Sequence, residues 1–121
     1  MNLYKTKSFA RWAKKEKIGD DVLKNTIQEI TAGMAHAKLG SGLIKQRLPR
    51  IGQGKRGGYR TVIACKENEG AFFLIGFSKN ARSNLHPHET TKYRKISRWL
   101  LEASNRQIRA LCEMNELEEI R

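Results

Sequence analysis

Apolar residues recur at helical spacing in the first third of the chain. A repeat at i, i+4, i+7 and i+11 predicts an amphipathic helix that begins at Asp20 or Asp21 and ends near Gly33. The positions that carry this repeat are Leu23, Ile27, Ile30 and Met34. A shorter helical pattern precedes it, with Ser8 as the expected N-cap and a break at Gly19. We therefore expect two antiparallel helices joined by a short turn.

The apolar pattern then changes to one typical of strands. Residues 43–48 predict a strand that stops at Pro49, and residues 59–66 predict a second strand. A turn at residues 67–70 leads into a third strand over residues 71–77. The last two strands are nearly continuous apolar runs, so we expect them at the centre of a sheet with helices over one face.

Helical spacing returns in the last third of the chain. Pro87 precedes one predicted helix, and residues 105–120 predict a final one. An alternating segment at residues 2–6 adds a short edge strand, and residues 35–42 are expected to connect the helices to the sheet. Together these elements predict an α+β fold, in which a small antiparallel sheet packs against an N-terminal helical hairpin and a C-terminal helix. We expect residues 1–121 to form a single domain.

The charge of the chain favours a polyanionic partner. Twenty-four Lys and Arg stand against 12 Asp and Glu, a formal net charge of +12. Nucleic acid fits this charge best, because no segment approaches the ~18 apolar residues of a membrane-spanning helix. No signal peptide is predicted, and Cys65 and Cys112 are expected to be reduced core residues of a cytoplasmic protein.

Several kinds of site can be excluded from the motifs. The glycines around Lys55 suggest a phosphate loop, but no Ser or Thr follows the lysine and a strand comes next. His36, His86 and His88 have no partners at metal-ligand spacing, so neither a metal nor a cofactor is expected. A nucleophile elbow is absent as well.

What remains is a set of basic residues in three groups, which neighbouring strands would bring side by side. The first strand carries Lys45, Arg47 and Arg50; the glycine-rich segment carries Lys55, Arg56 and Arg60; Lys79 and Arg82 follow the third strand, with His86 and His88 a few residues on. A charged, solvated face is the alternative interpretation. The convergence instead favours a site for phosphate.

Such a site has the chemistry for metal-free RNA cleavage. The ribose 2′-OH attacks the adjacent phosphate and the 5′-oxygen of the next nucleotide leaves. Arginine suits charge stabilisation, because it is always protonated and binds two phosphate oxygens at once. A lysine crowded by cations, or a histidine, suits proton transfer. Tyr59 either orients the phosphate, stacks on a base or belongs to the core.

Two segments resemble the RelE/HigB-like toxins of type II toxin–antitoxin systems. The segments are Lys45-Gln46-Arg47-Leu48-Pro49-Arg50 with Gly52-Gln53-Gly54-Lys55-Arg56-Gly57-Gly58-Tyr59-Arg60-Thr61, and Phe72-Phe73-Leu74-Ile75-Gly76-Phe77-Ser78-Lys79-Asn80-Ala81-Arg82. The resemblance extends over the order of elements along essentially the whole chain. It implies a small basic toxin that cleaves mRNA, usually on the ribosome, and is neutralised by an antitoxin.

The resemblance also implies roles for individual residues. Arg60 matches the strand arginine that contacts the scissile phosphate, and Lys55 and Arg56 match the basic loop before it. Lys79 takes the position expected of the acid that protonates the leaving group. Many relatives carry an arginine next to that lysine, whereas Asn80 stands here, so Lys79 or Arg82 must take the role. His86 lies where several ribosome-dependent relatives carry a functional aromatic residue or histidine.

Two other functions stay open at this point. The family includes ParE-like inhibitors of DNA gyrase, which share the fold and lack the ribonuclease residues. A module that binds nucleic acid without cleaving it would also carry a basic surface of this kind. The density of basic groups favours RNA cleavage.

Overall fold

The structure is a computed structural model that describes residues 1–34, 37–50, 54–82 and 84–121, with the backbone alone for residues 54–57. Its elements, in chain order, are β1 (Asn2–Thr6), α1 (Lys7–Lys15), α2 (Asp20–Thr31), β2 (Ala37–Gly40), β3 (Leu43–Arg50), β4 (Gly54–Lys66), β5 (Gly70–Ser78), α3 (Pro87–Glu102), α4 (Asn105–Glu113) and β6 (Leu117–Ile120). The predicted α+β class is confirmed.

The strands form one six-stranded sheet in the order β2-β3-β4-β5-β1-β6. All neighbours are antiparallel except β1 and β5, which run parallel. The prediction that residues 2–6 form an edge strand is wrong, because Leu3 pairs with Ala71 of β5 on one side and Ile120 of β6 on the other. The final segment was predicted as a helix throughout, yet it ends as strand β6. A short strand whose hydrogen-bonded partners are distant in sequence has little in its own residues that predicts it.

Helices cover both faces of the sheet, which corrects the expectation of one covered face. Phe73 lies in a core with Phe9 of α1 and Leu23 of α2. The adjacent Phe72 lies in a second core with Leu100 of α3 and Ile108 of α4. Successive side chains of a strand point to opposite faces, so a continuous apolar run requires apolar cover on both sides.

Backbone details correct three predicted boundaries. Strand β3 continues through Pro49, where a bulge between Leu48 and Arg50 accommodates a residue that cannot donate a ladder hydrogen bond. Strand β4 begins at Gly54 and not at Tyr59, so the backbone of the glycine-rich segment is already part of the strand. Helix α1 is capped by Thr6 and not Ser8, because the Thr6 hydroxyl accepts a hydrogen bond from the Phe9 amide at 3.2 Å.

The remaining elements lie close to their predicted positions. Helix α2 follows the predicted span, and α3 begins with Pro87 in its first turn. The turn between β4 and β5 holds Asn68 in the left-handed region at φ 62°. Strand β2 lies in the segment that was predicted as a connection, and its pairing with β3 makes it one edge of the sheet.

Candidate functional site

A row of three side chains crosses the centre of the sheet on the α3 side. Arg60 of β4 lies directly opposite Arg47 of β3 and opposite Phe77 of β5. Arg60 is two residues from Val62, which belongs to the core beneath α3 and α4, so the row lies on that face. We call Arg47, Arg60 and Phe77 the cross-strand row.

The two arginines of this row are cross-strand neighbours, of which Arg60 is buried and Arg47 is half-buried. Arg60 is only 7% exposed. Burial, and secondly the charge of Arg47, lower the pKa of Arg60 below its ordinary value. Within the described residues, Nη1 of Arg60 and Nε of Arg47 are buried and have no hydrogen-bond partner. Like charges side by side with unpaired donors are unfavourable unless an anion can join them.

A third arginine reaches the row from the segment after β5. The guanidinium of Arg82 lies 4.8 Å from the centroid of the Phe77 ring. Its Nη1 donates to both carboxylate oxygens of Glu89, at 2.8 and 3.0 Å. Glu89 Oε1 also accepts the backbone N–H of His86 at 3.0 Å. The hydrogen bond from the His86 amide, followed by that from the Arg82 side chain, lowers the pKa of Glu89. Glu89 thus joins Arg82 to the beginning of α3.

Other predicted residues lie around this site. Lys45 donates through Nζ to Asn84 Oδ1 at 3.2 Å. Lys79 is exposed in the turn that begins at Ser78, whose carbonyl accepts the Arg82 amide at 3.2 Å. His86 is exposed at the N-cap of α3 and stacks on a second exposed imidazole, that of His88, with ring centroids 5.6 Å apart.

Tyr59 and Arg50 lie on the opposite face of the sheet. Tyr59 is 4% exposed in the core of α1 and α2, with its ring centroid 5.1 Å from that of Trp12 in an edge-on contact. Burial, followed by a hydrogen bond to Glu16, raises the pKa of Tyr59. The Arg50 guanidinium lies 5.7 Å from the centroid of the same tyrosine ring. The geometry favours the core alternative for Tyr59 over a role in base stacking.

The structure therefore brings together Lys45, Arg47, Arg60 and Arg82 on one face and separates Arg50 and Tyr59 from them. The side chains of Lys55 and Arg56, and all of His36, lie outside the described residues. Across the described ranges, no group of three or more His, Cys, Asp or Glu side chains is placed to hold a metal ion. In the same part of the chain, none of the helices is long and apolar enough to span a membrane.

Sequence reasoning missed three residues of the site. Phe77 supports Arg82, Glu89 holds it, and Asn84 accepts the hydrogen bond from Lys45. The position of Glu89, three residues after the N-cap of a helix, is a recognisable capping signal. The roles of Phe77 and Asn84 depend on strand register and on the path of the loop before α3, for which the sequence has no local signal.

The chain is similar to a known protein family. A search among curated proteins finds no relative of significant similarity. A family model described as the RelE toxin of the RelE/RelB toxin–antitoxin system matches residues 1–120. That family implies a toxin with an antitoxin partner, and the small basic α+β fold seen here is compatible with it. The match extends over nearly the whole chain, and the chain therefore belongs to the RelE toxin family.

Proposed function

We propose that this protein is an endoribonuclease that cleaves mRNA on the ribosome without a metal ion. The observation that supports it best is the cross-strand pair Arg47 and Arg60, whose buried Nε and Nη1 donors have no partner among the described residues. A phosphodiester supplies the missing negative charge and the missing acceptors at once. Rigid neighbouring strands hold the pair, so the binding geometry is set before substrate arrives.

The cross-strand row would act on the transition state. In the proposed step the ribose 2′-oxygen bonds to phosphorus, the bond from phosphorus to the 5′-oxygen breaks, and a 2′,3′-cyclic phosphate and a 5′-hydroxyl form. Negative charge grows on the non-bridging oxygens during this step, and the two guanidinium groups would stabilise it. Arg82, already paired with Glu89, would add a third positive charge near the row.

Proton transfer needs two further groups. One must take the proton of the 2′-OH and another must give a proton to the leaving 5′-oxygen. Lys79 and His86 are exposed on the segment after β5 and are our candidates. Lys55 and Arg56, on β4 before Arg60, remain proposed contributors on the strength of the family resemblance. Arginine is a poor acid or base, so we assign charge stabilisation to Arg82.

We further propose that the protein acts in the cytoplasm and that its antitoxin controls it. The family model supports the antitoxin partner. The ribosome as the place of cleavage follows from the resemblance of the glycine-rich segment and of the segment after β5.

The test is pulse labelling in bacteria after induction of this chain alone. Methionine and thymidine incorporation are followed side by side for the wild type, Arg60→Met and Arg11→Met. Arg11 is an exposed arginine of α1, the helix over the other face, and serves as the matched control. We expect methionine incorporation to stop first in the wild type and in Arg11→Met, and to continue in Arg60→Met.

Mapping of RNA ends completes the test. New 5′-hydroxyl ends within translated mRNA, absent when translation is blocked, support the proposal. Early loss of thymidine incorporation would instead indicate a gyrase inhibitor. RNA binding without new ends would indicate a module that does not cleave.

A further inference from the structure

We propose that Asn84, together with Lys45, selects a guanine base at one of the two nucleotides that flank the scissile phosphate. The inference rests on the proposed function for the reaction, and it adds a specificity-determining residue to the site. It depends on three observations. These are the position of the pair, the orientation of the Asn84 amide, and the hydrogen-bonding groups that this orientation leaves available.

The pair lies next to the cross-strand row. Lys45 is opposite Val62, a residue of the core beneath α3 and α4, so it shares the face of Arg47. Lys45 and Arg47 are separated by one residue on β3, which places their backbones about 7 Å apart. Asn84 follows Arg82 closely in the segment before α3. A base held by the pair therefore belongs to a nucleotide that adjoins the phosphate bound by the row.

Two hydrogen bonds fix the orientation of the Asn84 amide. Its Oδ1 accepts the Lys45 ammonium at 3.2 Å and the Leu85 backbone N–H at 2.9 Å. Neither partner can accept a hydrogen bond, so the reversed amide would point its own donors at two donors. Leu85 in turn packs against the core of α3 and α4, which holds this segment on the sheet. The orientation of the amide is therefore set by its partners before RNA binds.

The side-chain groups that remain available are all hydrogen-bond donors. A carboxamide oxygen has two lone pairs, and in Asn84 both are in use. Its Nδ2 group has no partner within the described residues, and Lys45 keeps further N–H donors beyond the one used here. Asn84 is exposed and Lys45 is half-buried, so a base can reach both. The pair thus offers donors to a base and no acceptor.

A subsite that only donates distinguishes guanine from the other bases. The Hoogsteen edge of guanine presents two acceptors, N7 and O6, and lysine is a common partner for them. Adenine presents N7 beside an amino donor, and cytosine presents an amino donor, so each would place a donor against a donor. Uracil presents the O4 acceptor alone. The usual contact of asparagine with adenine needs the amide oxygen, whereas that of Asn84 is already in use.

The experiment measures cleavage of short mRNAs on purified ribosomes, with one nucleotide next to the cut changed at a time. We expect guanine at the selected position to raise kcat/KM roughly 5- to 150-fold over adenine, the range for one good bidentate contact. Replacement of that guanine by 7-deazaguanine, which lacks the N7 acceptor, should remove most of the advantage. A preference that survives this replacement would overturn the proposed Hoogsteen contact.

The variant Asn84→Asp separates base selection from a structural role. Aspartate has nearly the same shape and still accepts from Lys45 and Leu85, so a residue that only held this segment would be replaced without effect. Under the proposal it exchanges the free donors for an acceptor, and most of the preference for guanine over adenine should be lost. Asn25→Asp makes the same change of charge at an exposed position of α2, over the opposite face, and should keep the preference.

Each outcome supports or overturns the proposal. Equal cleavage of guanine and adenine substrates by the wild type, or an unchanged preference in Asn84→Asp, would overturn it. If the wild type does not cleave mRNA at all, the proposed function fails. Binding of labelled oligouridylates that contain one guanine or one adenine, followed by fluorescence anisotropy, then decides the inference by itself. Tighter binding of the guanine oligonucleotide by the wild type, lost in Asn84→Asp, would support it, and equal affinities would overturn it.

Discussion

Under the proposed function, the side chain of Arg60 serves activity at the expense of stability. Its guanidinium is buried next to that of Arg47 and has an unpaired donor within the described residues. Burying a charge without a counter-ion costs free energy, and a like charge in the directly opposite cross-strand position adds to that cost. The local sequence, with alternating basic residues on two strands, gives no indication that the two side chains lie directly opposite each other.

We expect Arg60→Met to leave the fold intact and to raise the free energy of unfolding by about 1–4 kcal/mol. Methionine keeps most of the apolar contact of the side chain and removes the buried charge. Urea unfolding followed by circular dichroism measures the change. Arg11→Met, at an exposed position, should stay within about 0.5 kcal/mol of the wild type. A large loss of stability in Arg60→Met would mean that its guanidinium is satisfied in the folded protein.

At the scale of elements, the junction between β5 and α3 depends on one carboxylate. Glu89 binds the Arg82 guanidinium and the His86 amide, so it secures both the turn after β5 and the first turn of α3. A negative charge in the first turn also interacts favourably with the helix dipole. The junction holds Arg82 over Phe77 and therefore near the cross-strand row.

Glu89→Gln should lower stability at neutral pH, with a difference that shrinks as the pH falls. The pKa of Glu89 in the folded protein is lowered from its ordinary value of 4.5, first by the His86 amide and then by Arg82. Its ionised form therefore contributes stability that is fully present above that value and is lost as the pH falls through the folded pKa. Thermal unfolding at pH 7 and pH 3 measures the two differences.

Glu102→Gln is the matched control for this prediction. Glu102 is the exposed last residue of the same helix, where a negative charge is unfavourable to the dipole. Its replacement should leave stability unchanged or raise it slightly at pH 7. If the two substitutions have the same effect, the carboxylate of Glu89 does not secure the junction.

At the scale of the whole molecule, the C-terminal strand closes both layers of the fold. Leu117 of β6 belongs to the core of α3 and α4, whereas Ile120 belongs to the core of α1 and α2. The two residues are 5% and 6% exposed. Strand β6 also covers the edge of β1, which would otherwise present unpaired backbone groups.

Leu117→Ala and Ile120→Ala should each lower the free energy of unfolding by about 2–5 kcal/mol. Their effects should add in the double variant, because the residues belong to separate cores. Denaturant unfolding of the single and double variants measures both quantities. Glu119→Ala, at an exposed position between them on β6, should change stability by less than about 0.5 kcal/mol. A comparable loss in Glu119→Ala would mean that strand pairing alone, and not the cores, accounts for the effect.

Local patterns in the sequence determined the helices, the central strands and the fold class. Leu23 and Ile27 repeat at helical spacing, which predicts helix α2. Residues 71–77 form a short apolar run next to a turn, which predicts a buried strand. Composition also established that the chain is basic, and the glycine-rich segment led to the prediction of a phosphate site that includes Arg60. These features are readable because propensity, periodicity and charge are properties of neighbouring residues.

Only the tertiary structure decided which side chains meet. Strand register set Arg60 against Arg47 and Phe77, and it turned Tyr59 to the other face, although Tyr59 and Arg60 are adjacent in sequence. The positions of β1 and β6 likewise depend on pairing between the two ends of the chain. A shift of one residue in a strand exchanges its two faces, so the members of a site that spans several strands are determined by long-range pairing and not by any local pattern.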